Sequence, residues 1–120
     1  MTAAFPEPDP FAPPAAAAWQ PHPRFPGVAM RLLLGGTATG GAFSQHEVRV
    51  DAGREIGLHT HPGAWESHVV LTGRGRVEIA GEVRDYAPGT TAAMPPDVLH
   101  RVCADGEALY ILATFVPALG

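Results

Sequence analysis

Lysine is absent from this 120-residue chain, and all eight cationic side chains are arginine. The formal net charge is −4 at pH 7, so we expect no basic surface of the kind that binds nucleic acid. Cysteine is nearly absent as well. Cys103 alone cannot form an intramolecular disulfide, and a single thiol fits a reducing cytoplasm, where we expect the protein to reside.

Long apolar runs are also missing. No segment approaches the roughly 18 uninterrupted apolar residues of a transmembrane helix, and the N-terminus lacks the basic-then-apolar pattern of a secretory signal. We therefore expect no membrane partner and no leader. Hydrophobic residues still make up 46% of the chain, enough for the core of one domain. Fourteen glycines and thirteen prolines favour short strands joined by tight turns, which is typical of an all-β fold.

The first 26 residues differ from the remainder in composition, because eight of the thirteen prolines lie there. Since proline interrupts both helices and strand ladders, we predict an extended arm over residues 1–26 and a β-barrel domain over residues 27–120. The arm is either a disordered tail or a strap anchored on the barrel or a partner subunit by aromatic side chains. The candidate anchors are Phe5, Phe11, Trp19 and Phe25. His22, between two prolines, receives no chemical role.

Downstream of the arm, strand-like runs alternate with turn signals. Residues 43–50 show a two-residue period that predicts one inward face. That face consists of Ser44, His46, Val48 and Val50. Ala80-Gly81 separates two such runs and predicts a hairpin. We expect about eight to ten short antiparallel strands and no helix, in a sandwich or small barrel.

One short stretch concentrates metal-binding side chains. His59 and His61 are one residue apart, so on a strand both point to the same face. Pro62-Gly63 then permits a turn. If the flanking strands form a hairpin, Glu66 returns beside the two imidazoles. Two nitrogens and one oxygen converging inside a β-structure predict a divalent-metal site.

This stretch and the region around His100 resemble the two motifs of the cupin superfamily. The first motif, G-x5-H-x-H-x3,4-E-x6-G, is complete and reads Gly53, His59, His61, Glu66 and Gly73. The second, G-x5-P-x-G-x2-H-x3-N, matches at Gly89, Pro95 and His100, with Asp97 in place of its glycine and Ala104 in place of its asparagine. Aspartate tolerates left-handed conformations better than most residues, so we expect Asp97 to replace that glycine.

The resemblance implies a conical β-barrel, or jelly roll, that holds one divalent ion per chain. The implied metal ligands are His59, His61, Glu66 and His100. The ion could be Fe, Mn, Ni, Co, Cu or Zn, and at octahedral coordination two positions stay open for a substrate. The first functional hypothesis is a metal-dependent enzyme that acts on a small organic molecule. Such an enzyme would be a dioxygenase-like oxidoreductase or an isomerase. A metal-dependent binding or sensing module is the second, and a structural barrel with an incidental metal is the third.

Two further histidines are candidate catalytic residues. His68 shares the face of Glu66, and His46 is inward by its own strand's alternation. Either could transfer a proton to or from substrate, hydrogen-bond a metal ligand, or pack as a neutral core histidine. The other inward residues, expected to line a mostly apolar pocket, are Val48, Val50, Val70 and Val102.

Predictions also follow for four residues near the motifs that are not expected to bind the metal. Trp65 either covers the barrel mouth or is structural. Cys103, three residues past His100, should lie on the opposite face as a buried, inert thiol. Val69 and Leu71 should face outward, and apolar residues outside a small barrel often mark an interface, so we expect a homodimer.

Overall fold

The computed structural model describes residues 18–119, and the predicted anchors Phe5 and Phe11 lie outside this range. The described residues form ten strands and one short helix, α1 (Gly36–Thr39). The strands are β1 (Gln20–Pro21), β2 (Val28–Leu34), β3 (Ser44–Val50), β4 (Glu55–His59), β5 (Trp65–Thr72), β6 (Gly75–Ile79), β7 (Glu82–Tyr86), β8 (Thr91–Met94), β9 (His100–Ala104) and β10 (Leu109–Val116).

The strands form two sheets. One has six strands in the order β1-β2-β3-β10-β5-β8, and the other has four in the order β4-β9-β6-β7. All of the pairings are antiparallel. This architecture confirms the predicted all-β barrel and its strand number. Ala80 and Gly81 form the two-residue turn between β6 and β7, both with positive φ, as the hairpin prediction requires.

The core lies between the two sheets and follows the two-residue period of the strands. Ser44, His46, Val48 and Val50 of β3 are all buried, which confirms the predicted inward face. The matching face of β10 consists of Leu109, Ile111, Ala113 and Phe115. Each fully buried aliphatic or aromatic side chain contributes on the order of 1.5–3 kcal/mol. The polar members of this interior are therefore the exceptions that call for a chemical explanation.

The hairpin considered for the strands on either side of Pro62-Gly63, β4 and β5, does not form. Strand β4 pairs with β9 in the four-stranded sheet, whereas β5 pairs with β10 and β8 in the six-stranded sheet. The Pro62-Gly63 turn, with Gly63 at φ 73°, carries the chain from one sheet to the other. Glu66 consequently meets the histidines across the barrel interior and not along a shared ladder.

The absence of helix was also predicted incorrectly, though only by one turn. Helix α1 occupies the glycine-rich connection between β2 and β3. The helix is capped at its C-terminus by Gly40, which has a left-handed φ of 64°. Within residues 18–119, no helix is long and apolar enough to cross a membrane.

The last residues of the predicted arm are attached to the barrel. Strand β1 pairs with β2, and the guanidinium groups of Arg31 and Arg49 each lie 5.0 Å from the Trp19 ring. Trp19 also packs edge-on against Tyr110, and Phe25 packs against the hydrophobic core. Trp19 and Phe25 thus make the contacts that the strap interpretation predicts for them.

The outward-facing residues follow the predicted faces, with one error in burial. Cys103 lies on the face opposite His100, but its side chain is half-buried rather than buried. The outer face of β9 is only partly covered, and Cys103 Sγ lies 3.4 Å from the Glu55 carboxylate. Partial burial and that carboxylate raise the pKa of the thiol. Leu71 is exposed and Val69 is half-buried, both on the outward side of β5.

Candidate metal centre

Four side chains from separate parts of the fold converge inside the barrel. His59 ends β4, His61 lies in the loop that follows, Glu66 is on β5 and His100 begins β9. One ligand atom from each residue lies within 4.8 Å of the corresponding atoms of the other three. We call these residues the four-residue cluster: His59, His61, Glu66 and His100. The set is the one that the sequence motifs predict.

Local backbone structure places the histidines of the cluster. His59 and His100 are direct partners in the β4–β9 ladder, after a register shift in β4. The carbonyl of His61 accepts a hydrogen bond from the Asp97 amide at 3.4 Å, so the two motif loops brace each other. Asp97 has φ 67°, which confirms that aspartate occupies the left-handed position of the motif glycine.

Two backbone carbonyls set the tautomers of the cluster. His59 Nδ1 lies 2.7 Å from the Gly57 carbonyl, and His100 Nδ1 lies 3.1 Å from the Val98 carbonyl. A carbonyl oxygen only accepts, so each Nδ1 must carry a proton and donate it. Each Nε2 therefore remains for an ion or a proton inside the barrel. This arrangement is typical of metal-ligating histidines.

The Glu66 carboxylate is the anionic centre of the cluster. Its Oε1 lies 3.2 Å from His61 Nε2 and 3.0 Å from His100 Nε2. Burial by itself would raise the pKa of Glu66, but hydrogen bonds from His100, His61 and His68 hold that pKa well below its usual range. The side chain is therefore a carboxylate at neutral pH and is available as an anionic ligand.

Two histidines of the cluster, His59 and His100, have pKa values shifted in opposite directions. Burial lowers the pKa of His59 to about 4, against the opposing effect of the Gly57 carbonyl, so this imidazole is neutral at pH 7. His100 behaves in the opposite way. Burial would lower its pKa, but hydrogen bonds to Glu66 and to the Val98 carbonyl raise it. Without a metal, a proton on His100 Nε2 therefore bonds to the carboxylate in the place that an ion would take.

His68 hydrogen-bonds the second oxygen of Glu66, the one that His61 and His100 do not contact. His68 Nε2 lies 2.7 Å from Glu66 Oε2, and His68 Nδ1 lies 2.9 Å from the Tyr86 hydroxyl. Because the carboxylate accepts, Nε2 donates to Glu66, while Nδ1 and the Tyr86 hydroxyl form the second hydrogen bond of the ring. Burial and the Glu66 charge raise the pKa of Tyr86, which keeps its proton. Sequence alone did not identify Tyr86, because only the folded barrel brings it to His68.

His46 lies further from the cluster. Its Nε2 is 3.3 Å from the Ser44 hydroxyl, and its ring packs edge-on against Phe115. Burial lowers its pKa, against the raising effect of the Glu66 charge. Ala113 is the ladder partner of both His46 and His68, so the two candidate catalytic histidines flank the same residue of β10.

A cavity of about 70 Å³ opens beside the cluster. It is lined by His22, Val28, Met30, Val48, Ile56, His59, His61, Glu66, Phe115 and Leu119. Of the predicted apolar wall, Val48 is present, while Val50, Val70 and Val102 pack in the core away from it. Trp65 is exposed and does not line this cavity, and neither do His46 and His68.

Two of the cavity residues that the sequence did not predict, Phe115 and His22, are reached only through the fold. Phe115 lies between Ser44 and Glu66 across the sheet, a relationship that depends on the register of three strands. His22 comes from the proline-rich arm, where no periodic signal exists. Their proximity to the cluster becomes visible only in the folded chain.

The donor set of the cluster fits a divalent transition-metal ion. Three imidazoles and one carboxylate are suitable ligands for Fe, Mn, Ni, Co, Cu and Zn. The tautomers set by the Gly57 and Val98 carbonyls leave Nε2 lone pairs inside the barrel once the His100 proton leaves. His68 supplies the outer hydrogen bond that orients a ligating carboxylate.

Comparison with known proteins identifies relatives of the fold. The structure is similar to KdgF from Halomonas sp. (TM-score 0.74, 23% identity, 83% of this chain and 87% of that one). It is also similar to a predicted oxalate decarboxylase from Thermotoga maritima (0.70, 25%, 75% and 80%) and to ectoine synthase from P. lautus (0.69, 26%, 78% and 66%). No curated protein matches the chain. The Cupin_2 family model, a cupin domain, matches residues 46–115, and the chain therefore belongs to the Cupin_2 family.

Proposed function

We propose that the protein is a metal-dependent enzyme that binds one divalent ion in the four-residue cluster and acts on a small organic molecule beside it. The observation that carries the proposal is the convergence of four ligand atoms within 4.8 Å, in a barrel interior that is otherwise largely apolar. The relatives at or above 25% identity include an ectoine synthase and a predicted oxalate decarboxylase, which supports an enzyme.

The bound ion would supply Lewis acidity and, if redox-active, access to dioxygen chemistry. This chain's residues would perform the remaining tasks. Glu66 neutralises part of the metal charge, and His68 with Tyr86 fixes the orientation of the carboxylate. The apolar cavity wall excludes water from one side of the substrate. The proposed reaction class is dioxygenase-like oxidation or isomerisation of a compact substrate.

A second candidate is metal-dependent binding or sensing without turnover. It is favoured by the positions of the two candidate catalytic histidines, His46 and His68. Both ring nitrogens of His68 are hydrogen-bonded, to Glu66 and Tyr86, and His46 Nε2 contacts Ser44. Neither predicted acid–base histidine lines the cavity. We therefore assign His68 to positioning Glu66 and His46 to the packing around Phe115. An enzyme of this design would rely on the ion, or on a cluster residue, to move protons.

Oxygen consumption by the Fe(II)-loaded protein separates the two candidates. A screen against catechols, diketones, flavonols and thiols should find a substrate whose turnover disappears in a His59→Ala/His100→Ala variant. Thermal stabilisation by such compounds without oxygen uptake or product formation would favour the binding module. The homodimer and the cytoplasmic location stay predictions from the sequence.

A further inference from the structure

The end of the N-terminal arm places a third histidine, His22, on the cavity wall beside His59 and His61. The His22 amide donates to the Val28 carbonyl at 2.8 Å, directly after the two residues of β1 that pair with β2. The His22 ring packs on Phe25 with centroids 4.8 Å apart, and Phe25 packs on His59 at 5.8 Å. His22 is thus held by its backbone hydrogen bond to Val28 and by ring packing on Phe25, which in turn contacts His59 of the cluster.

The hydrogen bonds of His22 determine which nitrogen carries its proton. Nδ1 lies 3.0 Å from the Arg24 amide and 3.3 Å from the Phe25 amide. Backbone amides only donate, so Nδ1 accepts and the ring proton is on Nε2. Burial and the charges of Arg24 and His61 lower the pKa of His22, which keeps the ring neutral at pH 7. Among the described residues, Nε2 has no hydrogen-bond partner.

The lining residues, the net charge and the volume of the cavity beside His22 together indicate which class of ligand would fit. Outside the cluster, every other residue that lines the cavity is apolar. A divalent ion beside the ionised Glu66 leaves one net positive charge, which favours a monoanion. The cavity is far smaller than the roughly 300–1,000 Å³ of sites for drug-sized ligands. The matching ligand is compact and anionic, with an apolar body and an oxygen that can accept from His22.

We propose that His22 orients a short-chain 2-oxo or 2-hydroxy carboxylate by donating a hydrogen bond from Nε2 to one of its oxygens. Such an acid has three oxygens. Two of them suit the two positions that four protein ligands leave open on an octahedral ion, and the third accepts from His22. Its short carbon chain lies against the apolar wall formed by Met30, Ile56 and Phe115. This inference rests on metal binding by the cluster, as proposed above.

Two substitutions separate ligand binding by His22 from its structural role. An asparagine amide ends near the position of Nδ1 and can accept the same backbone amides, but it leaves nothing at Nε2. A glutamine amide reaches the position of Nε2 and abandons the backbone bonds. With the Co(II)-loaded protein, His22→Asn should raise the Kd of pyruvate about tenfold at nearly unchanged Tm. His22→Gln should lower Tm while keeping the pyruvate Kd within about threefold of wild type.

Acetylacetone is the matched control ligand, because it has two oxygens for the ion and no third for His22. Its Kd should be the same in wild type and His22→Asn, and the Co(II) stoichiometry of both variants should equal that of wild type. An unchanged pyruvate Kd in His22→Asn would overturn the inference while leaving the metal site intact. Equal losses for pyruvate and acetylacetone would make His22 purely structural. Failure of the loaded wild type to bind pyruvate would overturn the ligand class, whereas failure to bind Co(II) would refute the proposed function itself.

Discussion

His68 Nε2 lies 2.7 Å from Glu66 Oε2, whereas the other oxygen, Oε1, contacts His61 and His100 of the cluster. The two residues are on the same face of β5, two positions apart. The histidine thereby satisfies one carboxylate oxygen and leaves the other directed at the cluster. A buried carboxylate without such a partner would be costly.

The Tyr86 hydroxyl holds the His68 ring in the orientation that contacts Glu66, and a phenylalanine substitution removes that hydroxyl without removing the ring. Tyr86→Phe removes the hydrogen bond to His68 Nδ1 and leaves that buried nitrogen without a partner. We expect about 1–2 kcal/mol of lost stability and roughly tenfold weaker metal binding, measured by calorimetric unfolding and competitive chelation. Tyr110→Phe, at the half-buried second tyrosine, is the control and should change neither quantity. Equal metal affinity in wild type and Tyr86→Phe would contradict a positioning role.

Metal binding should release a proton from His100. In the metal-free protein, Glu66 and the Val98 carbonyl raise the pKa of His100 above its ordinary value of 6.5, whereas a ligating imidazole is neutral at Nε2. At pH 6 we expect close to one proton released per ion bound, and fewer as pH rises through the raised pKa. Zn(II) titrations in buffers of different ionisation enthalpy measure this number. A value near zero at pH 6 would be inconsistent with the hydrogen bond between His100 and Glu66.

The metal-free protein should lose stability as pH falls from 6.5 toward 4. His59 has its pKa lowered from 6.5 to about 4, so in this window the unfolded chain binds the proton and the folded one does not. His100 has a raised pKa, and its contribution is fully present below 6.5. The stabilisation from the lowered pKa of Glu66 is lost only as pH falls below about 4.5.

The pKa shifts of His59, His100 and Glu66 predict a Tm at pH 4.5 that is roughly 5–10 °C below the Tm at pH 7. Differential scanning calorimetry in the presence of a chelator is the appropriate measurement. His59→Gln should show a smaller drop over the same interval, because the residue that titrates is gone. A Tm that is flat or rises toward pH 4.5 would show that His59 is not held neutral in the folded protein.

Glycine 75 permits the close approach of β6 to β9, the strand that begins with His100. A Cβ at Gly75 would clash with the Cys103 carbonyl, and this glycine does not have positive φ, so the effect of substitution is purely steric. We expect Gly75→Ala to cost about 1–3 kcal/mol in chemical denaturation. Gly106→Ala is the matched control, since a Cβ there meets nothing within 4 Å. Equal stabilities of the two variants would contradict the β6–β9 packing.

The sequence predicted the parts of the site that depend on local spacing. The motif placed all four cluster residues, and the left-handed Asp97 followed from its substitution for glycine. The inward face of β3 followed from alternation. Alternation does not say which strands pair, however. The hairpin considered between β4 and β5 does not form, because consecutive strands with a tight turn can also belong to opposite sheets.

The residues that the sequence missed act through long-range pairing. Tyr86 reaches His68 only because both lie in the barrel interior on strands of different sheets. His22 reaches the cavity because two residues of β1 pair with β2, and such a short strand has no periodic signal. The burial of Cys103 was overestimated for a related reason, since the covering of an outer face depends on elements distant in sequence.

Metal content tests the central claim most directly. Protein purified without added metal, then loaded with Co(II) and freed of excess, should contain close to one equivalent per chain by elemental analysis. It should also show the visible absorption of cobalt bound to imidazole and carboxylate. The His59→Ala/His100→Ala variant should retain less than about a tenth of that amount, since two of the four ligands are gone. Metal content below a tenth of an equivalent in wild type, or equal content in the variant, would contradict the account.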